Sequence, residues 1–124
     1  MRTFLKTSRA AVLISAILST SALADTADNS PKDYKPQILK DLKTSLKDPD
    51  SLKLMQVCPP KQSKKDPSIW TVRFSLNAKN SYGGYSGERA MEAHFKDGKI
   101  LYIYEPSARI QTYVMRVVKD CPAK

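Results

Sequence analysis

The dipeptide Asp97-Gly98 stands between two segments with strand-like composition, residues 89–96 and 99–105. Aspartate followed by glycine between strand patterns favours a two-residue β-hairpin turn. A turn of this length also determines which residues of the two strands face each other, and a one-residue slip would exchange the two faces. The predicted facing pairs are Lys96 with Lys99, Phe95 with Ile100, Ala93 with Tyr102, and Met91 with Tyr104.

Two further segments read as strands. Residues 70–78 alternate apolar and polar side chains, which predicts one buried and one partly exposed face. Leu52 to Cys58 forms the other segment, and Pro59-Pro60 ends it. With the hairpin, these segments predict a four-stranded antiparallel meander.

The segments at the two ends of the predicted domain have helical features. Ile38, Leu39, Leu42 and Leu46 form one apolar stripe, and Pro49 stops the helix because a proline disfavours helical backbone in the residue before it. The apolar positions of the last segment also follow helical spacing, with Ser107 as the N-cap, although its β-branched residues allow a fifth strand. These positions are Ile110, Tyr113, Val114, Val117, Val118 and Cys121. We expect this segment to cover the other face of the hairpin, which carries Ala90, Glu92, His94, Leu101 and Ile103. The predicted fold class is α+β.

Residues 1–24 have the features of a secretory signal peptide. Three basic residues precede an apolar segment, residues 10–18, and Ala22-Leu23-Ala24 fits the cleavage rule. The alternative, a membrane anchor, is disfavoured because a spanning helix needs about 20 apolar residues. Residues 25–33 are then a flexible lead-in and residues 34–124 a single domain, in a periplasmic or secreted protein.

The net charge favours some classes of binding partner over others. Without the three basic residues of the signal, 18 Lys and Arg oppose 12 Asp and Glu, a net charge of +6. Outside the cytoplasm this charge suits a protein or an anionic envelope component better than nucleic acid.

Cys58 and Cys121 are the only cysteines, and one disulfide between them is expected, with intermolecular pairing as the alternative. Their spacing is not that of a metal site, and neither metal nor cofactor is expected.

The connection between the second and third predicted strands, Asn77-Ala-Lys-Asn-Ser-Tyr-Gly-Gly-Tyr-Ser-Gly87, contains three of the four glycines. Together with Leu46-Lys-Asp-Pro-Asp-Ser51, it resembles a family of small exported bacterial proteins, known mainly as uncharacterised envelope proteins and lipoproteins. The resemblance covers about forty residues and implies a shared fold and an exported setting, but no activity. Many members carry Cys-Gly before the signature, where this chain has Ser75-Leu76.

The same connection contains the residue types that binding surfaces use, tyrosines beside amides and cations. The candidate binding residues are Asn77, Lys79, Asn80, Tyr82, Tyr85 and Arg89. The alternative is that the loop only seals the end of the sheet. We therefore predict a non-enzymatic exported binding module, which recognises an envelope component or a protein through residues 77–89.

Two other functions remain open. An inhibitor or immunity protein against a secreted enzyme would also suit a small, basic, disulfide-bonded chain. A small hydrolase would have to use His94, the only histidine, with a carboxylate. It is the weaker alternative because Gly84-Tyr85-Ser86-Gly87 lacks the spacing of a nucleophile elbow.

Overall fold

The computed structural model describes residues 28–122. The predicted signal peptide and the start of the lead-in lie outside these residues. The elements are α1 (Tyr34–Ser45), a 3-10 turn (Pro49–Ser51), β1 (Lys53–Val57), β2 (Lys61–Gln62), β3 (Ile69–Asn77), β4 (Arg89–Lys96), β5 (Lys99–Tyr104) and α2 (Ala108–Asp120). The α+β class is confirmed, and the last segment is a helix. Within residues 28–122, no helix is long and apolar enough to cross a membrane.

The sheet is antiparallel, with strand order β1-β3-β4-β5, and β2 pairs with β3 as well. It therefore has five strands, and the predicted count of four is wrong. Pro59 and Pro60 lack the N–H that a strand donates, so the edge strand is interrupted there. Cys58 N still donates to Arg73 O at 2.8 Å, and pairing resumes where Lys61 faces Thr71.

Helix α1 covers one face of the sheet and forms the larger core with it. Ile38 and Leu42 are the buried residues of the helix, because they lie one turn apart on its apolar stripe. The residues of the sheet that are buried in this core are Val72, Phe74, Leu76, Ala93 and Phe95. We call this side of the sheet the α1 face.

Helix α2 covers part of the opposite side, the α2 face, over a much smaller core. Val114 and Val118 pack there with Ala90 and Cys58. The disulfide from Cys58 to Cys121 joins the end of α2 to the residue after β1, with a Cα–Cα distance of 5.6 Å. The predicted intramolecular disulfide is thus present. The helix is also held by hydrogen bonds, from Ala90 N to Gln111 Oε1 at 2.8 Å and from Gln56 Nε2 to Cys121 O at 3.0 Å. Because the buried apolar cluster is small, we expect the covalent bond to contribute much of the stability of this layer.

The hairpin register agrees with the prediction only next to the turn. Lys96 pairs with Lys99 and Phe95 with Ile100, but Leu101 is a bulge residue without a partner. Beyond it the pairs are His94 with Tyr102, Ala93 with Ile103, and Glu92 with Tyr104, so the predicted pairs Ala93–Tyr102 and Met91–Tyr104 are wrong. The regular register would have directed both tyrosines into the α1 core. The bulge places Ile103 there instead and leaves the tyrosines on the α2 face.

The side chain of Gln37 binds the outer edge of β5. Its Nε2 donates to Gly98 O at 2.8 Å, and its Oε1 accepts from Ile100 N at 3.1 Å. The amide thus bonds one N–H and one C=O of the edge, as a neighbouring strand would. Helix α1 is tied to the hairpin by these bonds as well as by apolar packing.

Removal of the disulfide should destabilise the fold strongly. The bond closes a loop with a sequence separation of 63. In the chain-entropy description such a loop stabilises the folded state by about 4 kcal/mol. We expect Cys58→Ala with Cys121→Ala to lower the free energy of unfolding in urea by about this amount.

Reduced wild-type protein is the control for this variant, because it lacks the bond and keeps both sulfur atoms. The two samples should lose similar stability. A loss smaller than about 1 kcal/mol in both would show that the apolar contacts of α2 suffice without the bond.

Candidate functional site

The connection between β3 and β4, residues 77–89, is a loop ordered by Asn80, and we call it the Tyr82 loop. Asn80 Oδ1 accepts from Tyr82 N at 3.0 Å and from Gly84 N at 3.3 Å. The backbone of Asn80 donates to Gly84 O and accepts from Gly83 N. Gly83 has a φ of +81°, which a residue with a Cβ rarely adopts. Four hydrogen bonds centred on one asparagine thus fix the shape of the turn.

The two tyrosines of the loop differ in environment. The ring of Tyr85 lies beneath the ammonium groups of Lys53 and Lys79, at 4.5 and 5.8 Å from the ring centroid. Tyr82 is 97% exposed. Its ring therefore seals nothing, whereas that of Tyr85 packs against neighbouring cations at the base of the loop.

A second segment supports the loop from below. Ser51 is buried, and its Oγ donates to Asp48 O and accepts from Lys79 N at 3.1 Å. Lys47 Nζ lies 3.1 Å from Ser81 Oγ. The two sequence elements that carry the family resemblance, residues 46–51 and 77–87, are therefore in contact. The first of them has a structural role here, since its serine positions the backbone at the start of the second.

The remaining two candidate residues lie where the loop meets the strands. Asn77 ends β3, and its Oδ1 is buried without a hydrogen bond to any described residue. Arg89 begins β4, and its Nη1 forms an ion pair with Glu105 Oε2 at 3.0 Å. Arg89 thus ties the end of the loop to the residue after β5, whereas Asn77 Oδ1 makes no such bond. The exposed part of the predicted site is therefore Lys79, Asn80 and Tyr82, with half of Tyr85.

A polar network on the α2 face was not predicted. Glu92 is buried, and its Oε1 accepts from Arg73 Nε at 2.6 Å. Its Oε2 accepts from Tyr104 Oη at 2.5 Å. The ring of His94 stacks on Tyr102, with 4.8 Å between the centroids. The predicted hairpin register concealed this network, because it assigned both tyrosines to the side of Ala93 and Met91.

The pKa values in this network follow from burial and its hydrogen bonds. Burial raises the pKa of Glu92, but the bonds from Tyr104 and Arg73 outweigh it and the net pKa is lowered. The hydrogen bond to Glu92, aided by burial, raises the pKa of Tyr104 to about 12. Glu92 is thus a buried carboxylate at neutral pH, and it holds one nitrogen of Arg73 in place.

His94 has no hydrogen-bonded carboxylate or nucleophile among the described residues. Its Nε2 is buried and 3.7 Å from Glu92 Oε2, too far for a hydrogen bond. A nucleophile has to lie within hydrogen-bond reach of the base. Neither a serine nor a cysteine among residues 28–122 is bonded to His94. In the same part of the chain, no group of three or more His, Cys, Asp and Glu side chains is arranged to hold a metal ion.

The titration of Tyr104 tests the network. Its pKa is raised in the folded state. The contact with Glu92 therefore stabilises the fold in full at any pH below about 10, the ordinary pKa of tyrosine. This stability is lost as the pH rises through about 12. In Glu92→Gln the neutral amide no longer disfavours the phenolate, and the pKa of Tyr104 should fall toward about 10. Assigned NMR signals of the Tyr104 ring would measure it.

Glu88→Gln is the matched control, because Glu88 is an exposed carboxylate that accepts from Ser75 and does not contact Tyr104. It should leave the titration of Tyr104 unchanged. Equal pKa values for Tyr104 in the wild type and in Glu92→Gln would contradict the ionised state of Glu92.

Comparisons with known proteins do not assign this chain to a family. No protein-family model, no curated protein and no solved structure matches the chain. The resemblance to small exported bacterial proteins stays a prediction, and the function has to be argued from the surface itself.

Proposed function

We propose that this protein is a non-enzymatic, exported binding module that recognises an acidic protein surface through the Tyr82 loop. The observation that carries the proposal is the 97% exposure of Tyr82 on a loop whose backbone is fixed by Asn80. Tyrosines with an apolar ring and a polar tip are among the side chains that dominate binding energy when an interface buries them. A loop already held in shape loses little conformational entropy on binding.

The charge around the loop supports the choice of an acidic partner. Lys47, Lys53 and Lys79 lie within or beside it, through their contacts with Ser81 and Tyr85. None of the three forms an ion pair with a carboxylate in the part of the chain that the structure describes. Complementary charge would raise the rate of encounter with an acidic surface and orient it on the ring of Tyr82.

Export is part of the same proposal. An intramolecular disulfide persists in the oxidising space outside the bacterial cytoplasm, and the signal-like residues 1–24 provide a route to it. The partner is accordingly an envelope or secreted protein. A secreted enzyme is the second candidate, because a rigid exposed loop with a projecting aromatic ring also suits insertion into an enzyme cleft.

Tyr82→Ala should weaken partner binding without unfolding the protein. Loss of a central aromatic contact weakens binding by about thirtyfold, which corresponds to about 2 kcal/mol. Because the side chain is almost fully exposed, the free energy of unfolding should change by less than about 0.5 kcal/mol. Photocrosslinking from position 81, which is exposed and leaves the ring of Tyr82 in place, would identify the partner in envelope extract. Calorimetry with the purified partner would measure the affinity.

Tyr113→Ala is the matched control, since Tyr113 is 63% exposed on α2 and borders a cavity that no residue of the Tyr82 loop lines. It should bind the partner with unchanged affinity. A partner lost equally with both variants, or retained with Tyr82→Ala, would show that the loop is not the binding surface.

Asn80→Ala tests the role of loop order separately from that of the ring. It removes the acceptor of two backbone N–H groups and leaves Tyr82 in the sequence. We expect weaker binding than in the wild type, with increased amide hydrogen exchange at residues 82–84. Unchanged affinity despite faster exchange would show that the fixed shape of the loop contributes nothing to recognition.

A further inference from the structure

A groove on the α2 face lies where α2 leaves the sheet uncovered, and it is separate from the Tyr82 loop. Two adjoining cavities of about 360 and 350 Å³ form it, and both are lined by Lys61, Thr71 and Arg73. The disulfide borders the first cavity, and the loop after β2 and Tyr113 border the second. We call this feature the Arg73 groove.

Arg73 is fixed in the floor of this groove with its terminal nitrogens open. Its Nε is bonded to Glu92, whose other oxygen is bonded to Tyr104, so the guanidinium plane cannot rotate freely. The two Nη groups make no hydrogen bond to any residue within 28–122, and the side chain is 29% exposed. A guanidinium presented in this way can donate two parallel hydrogen bonds to one oxyanion.

The lysines of the groove have no acidic partner. The ammonium groups of Lys61, Lys64 and Lys65 form neither an ion pair nor a hydrogen bond with the residues that the structure describes. Asp66 follows them directly, but its carboxylate accepts from the backbone and hydroxyl of Ser68. Asp120 is the one acidic residue lining either cavity. Three uncompensated ammonium groups and one open guanidinium therefore surround the same space.

We propose that the Arg73 groove binds the phosphate group of a phosphorylated ligand. The two terminal nitrogens of the arginine form a fork that can donate to two oxygens of one phosphate. The lysines bring enough positive charge to bind a dianion, which is more than a singly charged carboxylate requires. Thr71 and Tyr113 also line the second cavity, so a hydroxyl and an aromatic side chain border the space for the remainder of the ligand. The phosphate is carried either by a small soluble ester or by a phospholipid headgroup.

Titrations with defined probes test the proposal and separate the two sources. Pyrophosphate, added to uniformly labelled protein, should shift the amide signals of residues 61–65, 71 and 73. Phosphatidylglycerol vesicles should compete for the same residues if the source is a lipid, and phosphatidylcholine vesicles should not. Binding of pyrophosphate alone assigns a soluble ligand. No shift with either probe, or equally tight binding of succinate, would overturn the phosphate assignment.

Two triple variants distinguish a site from net charge. Lys61→Ala, Lys64→Ala and Lys65→Ala together should weaken pyrophosphate binding by about tenfold or more, because three close charges are lost. Lys40→Ala, Lys43→Ala and Lys99→Ala together remove the same charge around α1 and should change the affinity by less than about twofold, since screening limits distant charges. Equal losses in the two variants would overturn the site.

Arg73→Lys tests the fork, since it preserves charge and loses the paired donors. We expect a further loss of pyrophosphate affinity at unchanged net charge. Circular dichroism verifies that the variant is folded. If Arg73→Lys does not fold, the comparison of the two triple lysine variants decides whether the groove is the binding site. An affinity equal to that of the wild type in folded Arg73→Lys would overturn the role of the fork.

Discussion

The covalent bond between Cys58 and Cys121 is the constraint on which the second layer of this structure depends. The core on the α1 face contains two buried residues of its helix and five of the sheet, whereas α2 buries only Val114 and Val118 over Ala90 and Cys58. So small a cluster offers limited hydrophobic stabilisation, and the disulfide adds what burial does not supply. The Arg73 groove is lined by the disulfide and by residues of α2, so its shape relies on a bond that forms only under oxidising conditions. The Glu92 network joins three neighbouring strands and does not depend on this bond.

The parts of the fold that the sequence predicted are those set by local patterns. The turn Asp97-Gly98, the alternation along β3 and the apolar stripe of α1 each reflect nearby residues, and each is found in the structure. The bulge at Leu101 was missed because it is decided by burial across the sheet, where Ile103 replaces a tyrosine in the core. Strand β2 was missed because two residues are too few to form a periodic pattern.

The two candidate surfaces also differ in how far the sequence could predict them. Residue types and glycines within one short segment pointed to the Tyr82 loop, although the sequence did not show which of its tyrosines is exposed. The Arg73 groove combines Lys61, Arg73 and Tyr113, which lie on three elements and meet only through the fold. In the sequence, Lys61 and Arg73 look like ordinary exposed charges and Tyr113 like one more residue of a helix, so no pattern indicates a shared site. Arg73 also acquires its orientation from Glu92, a cross-strand neighbour that no local pattern identifies.

Gln37 has a consequence for how these molecules behave at high concentration. An exposed edge strand is a template for the strands of other chains and a common origin of aggregation. The side-chain amide occupies the N–H of Ile100 and the C=O of Gly98, next to the hairpin turn. An approaching strand finds those positions taken and meets the irregular backbone at Leu101 immediately beyond them. One glutamine, projected from a helix, thus gives the outer strand of the sheet protection against unwanted association.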